Sequence, residues 1–355
     1  MVKTTYSAVQ VAAPGKLEPV ERVIPEPGPW QVRIRVEACG VCHTDALTVE
    51  GTFPGLVMPR VPGHEVIGRI EALGNGVSGW TIGQRVGVGF LGGYCTVCEN
   101  CRRGDFTHCR QQPVVGVHLD GGYAEVMLAQ IQSLVRIPEE LKAVEAAPLL
   151  CAGVTTFNAL RKSKARAGDL IAVQGVGGLG HLAIQFARHM GFNVVAIARG
   201  PGKETLARLM GADRFIDSTA EEPATALQAL GGARLILATA ADSRSMSPLV
   251  RGLAPHGEMI VAGAGGEEPI ALDPVEMLFG ERAVSGTISG SSVDMEDTLA
   301  FSVLRGIRAK IEMVPLAEAA DAYRRMMSNE ARFRVVLTVD QRSRWELPWK
   351  GAADP

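Results

Sequence analysis

Four cysteines lie within the fifteen residues CTVCENCRRGDFTHC, at positions 95, 98, 101 and 109. Four thiolates at such short spacing suit a tetrahedral zinc ion. A bacterial iron-sulfur run would have only three residues between its last two cysteines and proline directly after them. Here the last interval is seven residues, and Gln111 and Gln112 precede the proline. The spacing therefore favours a zinc ion that holds a lobe in shape, with no open coordination position for substrate, bound by Cys95, Cys98, Cys101 and Cys109.

The other three cysteines accompany histidines in distinctive settings. Cys39 and Cys42 lie in CGVCHTD, residues 39–45, His64 lies in PGHE, residues 62–65, and Cys151 follows much later. An odd total of seven cysteines fits disulfide pairing poorly, and in a reducing compartment such residues more often bind metal or act in catalysis. Spacing alone does not show whether these residues meet in space.

A glycine-rich loop at residues 175–180, GVGGLG, follows the apolar run DLIAVQ and precedes the helical pattern HLAIQFARHMG. Glycines in this strand-to-helix context allow a tight turn, close approach of a pyrophosphate and close packing of the helix on the strand. The helix N-terminus then presents free amides to the phosphates. The alternative is that the glycines serve only packing in another α/β protein. We predict a dinucleotide-binding loop formed by Gly175, Gly177, Gly178, Leu179 and Gly180.

The end of the next predicted strand, FNVVAIA, bears on the choice between NAD and NADP. A carboxylate at this point would bind the ribose 2′-hydroxyl of NAD. Ala198 stands there instead, followed by Arg199, with Lys203 close behind. Without the carboxylate a 2′-phosphate is not repelled, and arginine can bind a phosphate through two parallel hydrogen bonds. The sequence favours NADP, and the alternative is that Arg199 is merely solvated.

The elements that must position these residues fall into two kinds. Residues 1–151 alternate short β-branched runs such as QVRIRVEA with turns rich in glycine and proline, which predicts a strand-rich domain. From residue 152 to 289, apolar strands alternate with helical patterns, which predicts right-handed βαβ units and a parallel sheet. Two helix candidates and a last strand, RFRVVLTVD, follow, and the tail from Gln341 is predicted to lie on the surface. The expected fold class is α/β.

Composition limits the partners. The chain has 355 residues, of which 46% are hydrophobic and 21% charged, as in a globular protein of about two domains. A net charge of −2, with scattered Lys and Arg, gives no electrostatic footprint for nucleic acid or an anionic membrane, so small molecules are the expected partners. The N-terminus has no basic region followed by an apolar run, and no segment approaches about eighteen consecutive apolar residues. We expect a cytoplasmic location.

Five motifs occur here in the same order as in a known family. They are ACGVCHTD, VPGHEVIG, the cysteine run at residues 95–109, LLCAGVTTFNAL and GVGGLGHLAIQFA. Because these five motifs occur in this order, the chain resembles the zinc-dependent alcohol dehydrogenases of the medium-chain dehydrogenase/reductase family over residues 5–340. The resemblance implies a GroES-like catalytic domain formed by residues 1–151 and 290–355, which carries the zinc lobe at 95–109. It also implies a Rossmann NAD(P)-binding domain at residues 152–289.

The resemblance also implies a catalytic zinc. Its ligands map to Cys42, His64 and Cys151, with Glu65 close behind the metal, and two cysteines with one histidine is the set known for the alcohol dehydrogenases in general. Of the two cysteines in CGVC, the match selects Cys42, the one followed by His-Thr-Asp. Cys39 is then expected to be a buried residue without a ligand role.

Further roles follow from the same resemblance. Thr44 resembles the hydroxyl that accepts the alcohol proton, and Asp45 resembles the carboxylate that orients His64. Many family members carry a relay histidine three residues after this threonine, where the chain has Leu47, so proton release is expected to run through the cofactor ribose to water or another base. The remaining implied residues are His43 near the pyrophosphate, Thr155 beside the cofactor, and Phe53 and Phe90 in the alcohol pocket. We expect the other histidines to be surface or packing residues: His108, His118, His181, His189 and His256.

The implied reaction is reversible hydride transfer between NAD(P) and a primary or simple secondary alcohol. Zinc would lower the pKa of the bound alcohol so that an alkoxide forms near neutrality. Cysteine rather than glutamate at position 151 argues against the polyol dehydrogenases. Two alternatives remain, a glutathione-dependent formaldehyde dehydrogenase and a non-catalytic NAD(P)-binding protein. The resemblance implies two zinc ions per subunit and a homodimer or homotetramer.

Overall fold

The computed structural model describes residues 4–263, 265 and 268–339. The predicted surface tail from Gln341, and the end of the predicted 290–355 segment, lie outside the described residues. The strands are β1 (Thr5–Ala13), β2 (Lys16–Val23), β3 (Gln31–Val41), β4 (Val66–Leu73), β5 (Arg85–Val88), β6 (Val126–Gln130), β7 (Leu134–Arg136), β8 (Leu170–Gln174), β9 (Asn193–Ala198), β10 (Arg214–Asp217), β11 (Ala233–Ala238), β12 (Leu253–Val261), β13 (Ala283–Gly286), β14 (Ile311–Pro315) and β15 (Arg334–Thr338). The helices are α1 (Ala46–Val49), α2 (Glu99–Arg102), α3 (Ala143–Ala146), α4 (Ala152–Arg161), α5 (Gly180–His189), α6 (Glu204–Leu209), α7 (Pro223–Ala229), α8 (Ser243–Met246), α9 (Pro274–Gly280), α10 (Ser292–Arg305) and α11 (Ala319–Met327).

A six-stranded parallel sheet forms the middle of the chain. Its strand order is β10-β9-β8-β11-β12-β13, so the chain starts in the centre and winds outward in both directions. Strands covered on both faces read as nearly continuous apolar runs, and β8 and β11 are buried along most of their length. This is the doubly wound order of dinucleotide-binding folds, and it confirms the predicted parallel sheet.

A seven-stranded sheet combines both ends of the chain. The strand order is β14-β15-β3-β4-β5-β7, with β6 also paired to β3. The last strand, β15, runs antiparallel to β3, with Leu337 opposite Cys39. The hairpin of β1 and β2 forms a separate small sheet. The chain therefore returns to its first domain after the parallel sheet, while the boundaries at 151 and 290 stay a prediction.

One apolar core joins the two large sheets. It contains Ile67 of β4, Leu150 and Val154 on either side of Cys151, and Ile171 of β8. Cys151 thus sits where the two halves are packed together. Within the described part of the chain, no single helix has the length and apolarity to span a membrane. The bent pair Ala143–Leu150 and Ala152–Arg161 reaches that length and apolarity only when the two helices are taken together.

Candidate active site

Two antiparallel strands bring the motifs CGVCHTD and PGHE to one edge of the seven-stranded sheet. β3 ends just before Cys42, and β4 begins just after Glu65. Cys39 is paired with Val66, and the amide of Gly40 donates to the Glu65 carbonyl at 3.0 Å. Because antiparallel neighbours share an edge, the residues after β3 lie beside those before β4.

Cys151 completes a cluster of metal-type donors. It lies between a short 3-10 helix, Ala147–Leu150, and α4. Its Sγ is 3.8 Å from the Sγ of Cys42. Two sulfurs bound at about 2.3 Å to one tetrahedral zinc lie about 3.8 Å apart. One ligand atom from each member lies within 4.8 Å of all the others in the cluster of Cys42, His64, Glu65 and Cys151.

The charges in this cluster suit a bound cation. A hydrogen bond from the Cys151 thiol holds the pKa of Cys42 well below its ordinary value. Burial alone would lower the pKa of His64, but the Asp45 carboxylate and Cys42 outweigh it and raise that pKa well above normal. The buried His64 Nε2 has no hydrogen-bond partner among the residues described. These donors therefore fit zinc, which would displace the protons that they hold.

Glu65 is held by an arginine that was not predicted from the sequence. Arg334 Nη2 at the start of β15 donates to Glu65 Oε1, and both side chains are buried. Burial raises the pKa of Glu65 to about 7, while the charge of Arg334 opposes that rise. A Cβ on Gly40 would lie 1.9 Å from Glu65 Oε2, so glycine at this position leaves room for the carboxylate. The sequence signal for Arg334 is a cation opening the apolar strand RVVLT, since a buried cation needs a partner.

Asp45 lies against the back of His64. Its Oδ1 is 3.0 Å from His64 Nδ1, and its Oδ2 accepts a hydrogen bond from the amide of Cys42 at 2.9 Å. This contact places the ring proton on Nδ1 and leaves Nε2 free for a metal. Thr44 and Leu47, on the same short helical segment, are half-buried, whereas His43 is exposed.

The two predicted pocket phenylalanines lie in different surroundings. Phe90 packs edge-on against the His64 ring, with 5.6 Å between ring centroids. Phe53 packs edge-on against His118 at 5.5 Å. The structure therefore brings Phe90 to the metal-type cluster and Phe53 to the loop that carries His118. Of the histidines expected to be surface or packing residues, His181 is fully buried, His118 is half-buried, and His108, His189 and His256 are exposed.

The four cysteines of the opening run converge on one point. Their sulfur atoms all lie within 4.8 Å of one another. Backbone amides donate to two of them: Cys98 N to the sulfur of Cys95 at 3.3 Å, and Gln111 N to the sulfur of Cys109 at 3.4 Å. Backbone amides also lower the pKa of Cys98 to about 6. Amides directed at sulfur stabilise thiolates, so this cluster also fits zinc.

The glycine-rich loop joins β8 to α5 as predicted. Gly175 has a φ of +94°, which glycine adopts without strain. A Cβ on Gly180 would lie 1.8 Å from the Gly175 carbonyl oxygen, whereas a Cβ on Gly177 would meet open space. The loop also lies beside the metal-type cluster, because a Cβ on Gly178 would be 3.2 Å from Nη1 of Arg334. One arginine thus pairs with Glu65 and lies close to the glycine-rich loop.

Cationic side chains follow β9. Ala198 is the last residue of that strand, and Arg199 and Lys203 are exposed beyond it. Although the Lys203 side chain is exposed, nearby protein atoms partly desolvate its amine, and this desolvation, followed by the charges of Arg332 and Arg199, lowers its pKa. Three cations therefore share this region. The predicted cofactor residue Thr155 is buried on α4, where its amide donates to the Cys151 carbonyl at 3.0 Å.

Comparison with known proteins agrees with this geometry. The family model of the alcohol dehydrogenase GroES-like domain matches residues 28–139, and that of the zinc-binding dehydrogenases matches residues 178–303. The chain is 43% identical to the alcohol dehydrogenase notN of Aspergillus sp. (strain MF297-2), over 88% of this chain and 92% of that protein. The chain belongs to the zinc-dependent alcohol dehydrogenase family.

Solved structures of other dehydrogenases have the same fold as this alcohol dehydrogenase. A cinnamyl alcohol dehydrogenase from Sorghum bicolor is 33% identical, with a TM-score of 0.86 over 97% of this chain and 100% of that chain. The CAD of Helicobacter pylori, complexed with NADP(H), is 25% identical, with a TM-score of 0.83 over 94% and 98%. These matches confirm the predicted family, the GroES-like and Rossmann fold class, and the dehydrogenase function. They do not favour the formaldehyde dehydrogenase or the non-catalytic alternative.

Proposed function

We propose that this dehydrogenase transfers hydride reversibly between NADP and a primary or simple secondary alcohol at the cluster of Cys42, His64 and Cys151. The observation that carries the proposal is the position of Arg334. It donates to Glu65 in the metal-type cluster and lies against Gly178 of the dinucleotide loop. A zinc-bound oxygen and a nicotinamide must be neighbours for hydride transfer, and the closeness of this arginine to both clusters supports placing the two sites side by side.

Each chain would hold two zinc ions. Cys42, His64 and Cys151 would bind one, with Glu65 behind it, and the four cysteines of residues 95–109 would bind the other. When bound, the first zinc would polarise the substrate oxygen and lower the pKa of the alcohol, and the cofactor would accept the hydride. The second would stabilise its lobe, because four thiolates fill a tetrahedral site.

Three side chains would serve the reacting atoms. Thr44, a half-buried residue two positions beyond Cys42, would accept the alcohol proton through its hydroxyl. Asp45 would keep the Nε2 of His64 directed at the metal. Phe90, packed on the His64 ring, would form one wall of the alcohol pocket and exclude water. Because Leu47 offers no proton acceptor, the proton would leave Thr44 by a path without an imidazole at that position.

NADP is the preferred cofactor in this proposal. Ala198 provides no carboxylate at the end of β9, and Arg199 and Lys203 follow it. The lowered pKa of Lys203 reflects partial burial together with repulsion from Arg332 and Arg199. A phosphate dianion would relieve that repulsion and accept charge-assisted hydrogen bonds from these side chains.

A homodimer or homotetramer is also part of the proposal, with a cytoplasmic location. Helix α9, which directly precedes the edge strand β13 along the chain, exposes Val275, Leu278 and Phe279. A contiguous apolar patch of this kind usually marks an interface. Light scattering during size-exclusion chromatography should give two or four times the 37.7 kDa chain mass.

Initial rates of aldehyde reduction test the proposal. A short aliphatic aldehyde and cinnamaldehyde would be assayed with NADPH and NADH in parallel, before and after chelator treatment. We expect turnover that prefers NADPH, disappears on chelation and returns with zinc. A preference for NADH would overturn the role of Arg199 in binding the 2′-phosphate, but the proposed dehydrogenase activity would stand. Absence of turnover in zinc-replete protein would contradict the proposed substrates.

A further inference from the structure

Tyr123 is a fully buried tyrosine that no step of the proposed reaction uses. It precedes β6 and packs in the core of the strand-rich domain. Its hydroxyl donates a hydrogen bond to Oδ2 of Asp45 at 2.9 Å. Burial raises the pKa of Tyr123 well above its ordinary value, so the hydroxyl stays protonated and remains a donor.

The hydroxyl completes the hydrogen bonding of a buried carboxylate. Asp45 is almost fully buried, and its Oδ1 faces His64 Nδ1 at 3.0 Å. Its Oδ2 accepts two hydrogen bonds, from the Cys42 amide and from Tyr123, each at 2.9 Å. A buried carboxylate that loses a donor is under-solvated and moves toward other donors. Tyr123 and the Cys42 amide therefore fix the direction from which Oδ1 meets the imidazole.

Tyr123 also contacts the chain that leads to His64. Its amide donates to the Pro62 carbonyl at 3.0 Å. A Cβ on Gly63 would lie 2.5 Å from Cδ1 of the Tyr123 ring, so the ring rests directly on the residue before His64. Tyr123 thus contacts two groups next to the His64 imidazole, the Asp45 carboxylate and the backbone at Gly63.

We propose that Tyr123 is a positioning residue that holds His64 in place for the catalytic metal, through the hydrogen bond of its hydroxyl to Asp45. This inference rests on the proposed function, because it assumes that zinc binds at Cys42, His64 and Cys151. Hydrogen-bond partners behind a metal ligand commonly change metal affinity or activity by about 10–100-fold. Tyr123 acts one hydrogen bond farther from the metal, so an effect near the lower end is expected.

The test compares Tyr123→Phe with the unaltered holoenzyme. A chromogenic chelator would report zinc release, in which the four-cysteine site provides an internal reference in the same molecule. We expect release of the catalytic zinc about tenfold faster, unchanged release from the four-cysteine site, and a lower kcat with the same KM for NADPH. The matched control is Tyr6→Phe, since Tyr6 is buried in the same core but its hydroxyl lies near Arg22 and Asp120. This control should release both zinc ions at the original rates.

A second variant tests the route through Asp45. In an Asp45→Asn background the carboxylate is already gone, so adding Tyr123→Phe should accelerate release by less than about twofold if the residues act as a unit. Equal release rates for Tyr123→Phe and the unaltered enzyme would overturn the inference, as would faster release from both sites together with a lower Tm. If the unaltered protein holds no zinc outside the four-cysteine site, the proposed function itself fails.

Discussion

Replacing Arg334 with methionine would remove a buried charge and leave its partner in place. Arg334 is 5% exposed and Glu65 is fully buried. Methionine fills much of the same volume, so the substitution tests the charge and its hydrogen bond more than the packing. The carboxylate of Glu65 would then have no guanidinium partner in an apolar part of the molecule.

The expected cost follows from that burial. Removing one member of a buried, hydrogen-bonded ion pair destabilises a protein by about 3–5 kcal/mol, because the other charge remains desolvated. The pKa of Glu65 is about 7 even with Arg334 present, so without the guanidinium it would rise further and Glu65 would take up a proton at neutral pH, which places the expected cost near the lower end of that range. A loss of about 3 kcal/mol is a large share of a total unfolding free energy of about 5–15 kcal/mol.

Urea unfolding, followed by tryptophan fluorescence and far-ultraviolet circular dichroism, would measure this loss. The matched control is Arg325→Met, because Arg325 pairs with Glu312 where the side chains are 29% and 30% exposed. Ion pairs that solvent reaches contribute about 0–1 kcal/mol, so this control should change stability little.

A double variant separates the charge from the packing. Adding Glu65→Gln to Arg334→Met removes the unpaired ionisable group and should recover part of the lost free energy. If Arg334→Met lowers the unfolding free energy no more than Arg325→Met does, breaking the ion pair of Arg334 and Glu65 has no special cost, and the prediction is wrong.

Three further substitutions address the two metal clusters and the cofactor. Cys42→Ala should reduce turnover by at least about a thousandfold while the NADPH dissociation constant, from fluorescence titration, changes less than about threefold, since in the proposed function the thiolate binds zinc and not the cofactor. Cys98→Ser should lower Tm and remove one zinc per chain by elemental analysis, because it would open the proposed four-cysteine site. Arg199→Glu should shift the NADPH to NADH preference in kcat/KM by at least about tenfold toward NADH, the loss of one charge-assisted hydrogen bond. An unchanged ratio would exclude Arg199 from 2′-phosphate recognition.

Features encoded over short stretches could be predicted from the sequence. The four cysteines lie within fifteen residues, so the loop itself brings their sulfurs together. The dinucleotide loop is equally local, because the glycines need only the strand before them and the helix after them. The alternation of strands and helices gave the parallel sheet, since covered strands must be apolar along their length.

The catalytic cluster required more than spacing. Cys42 and Cys151 are 109 positions apart, and Glu65 and Arg334 are 269 positions apart. A family resemblance indicated the three zinc-type ligands but neither Arg334 nor Tyr123. The cation that opens RVVLT signals a buried partner without showing that this partner is Glu65. Both residues reach the site through strand pairing and core packing that join distant segments.

The two cysteines of CGVC show what the sequence determined and what only the tertiary structure decided. The sequence by itself determined the chemical types present: thiols, imidazoles and carboxylates for metal, and glycines for phosphate. The tertiary structure decided which of them meet. Cys39 lies within β3 opposite Val66, where it is fully buried and a Cβ on Gly63 would be 2.8 Å from its sulfur. Cys42 lies just past the end of that strand and faces Cys151. Because Cys39 is paired inside β3 whereas Cys42 follows the last residue of that strand, strand pairing holds one thiol in the core and leaves the other at the edge of the sheet, where it meets Cys151.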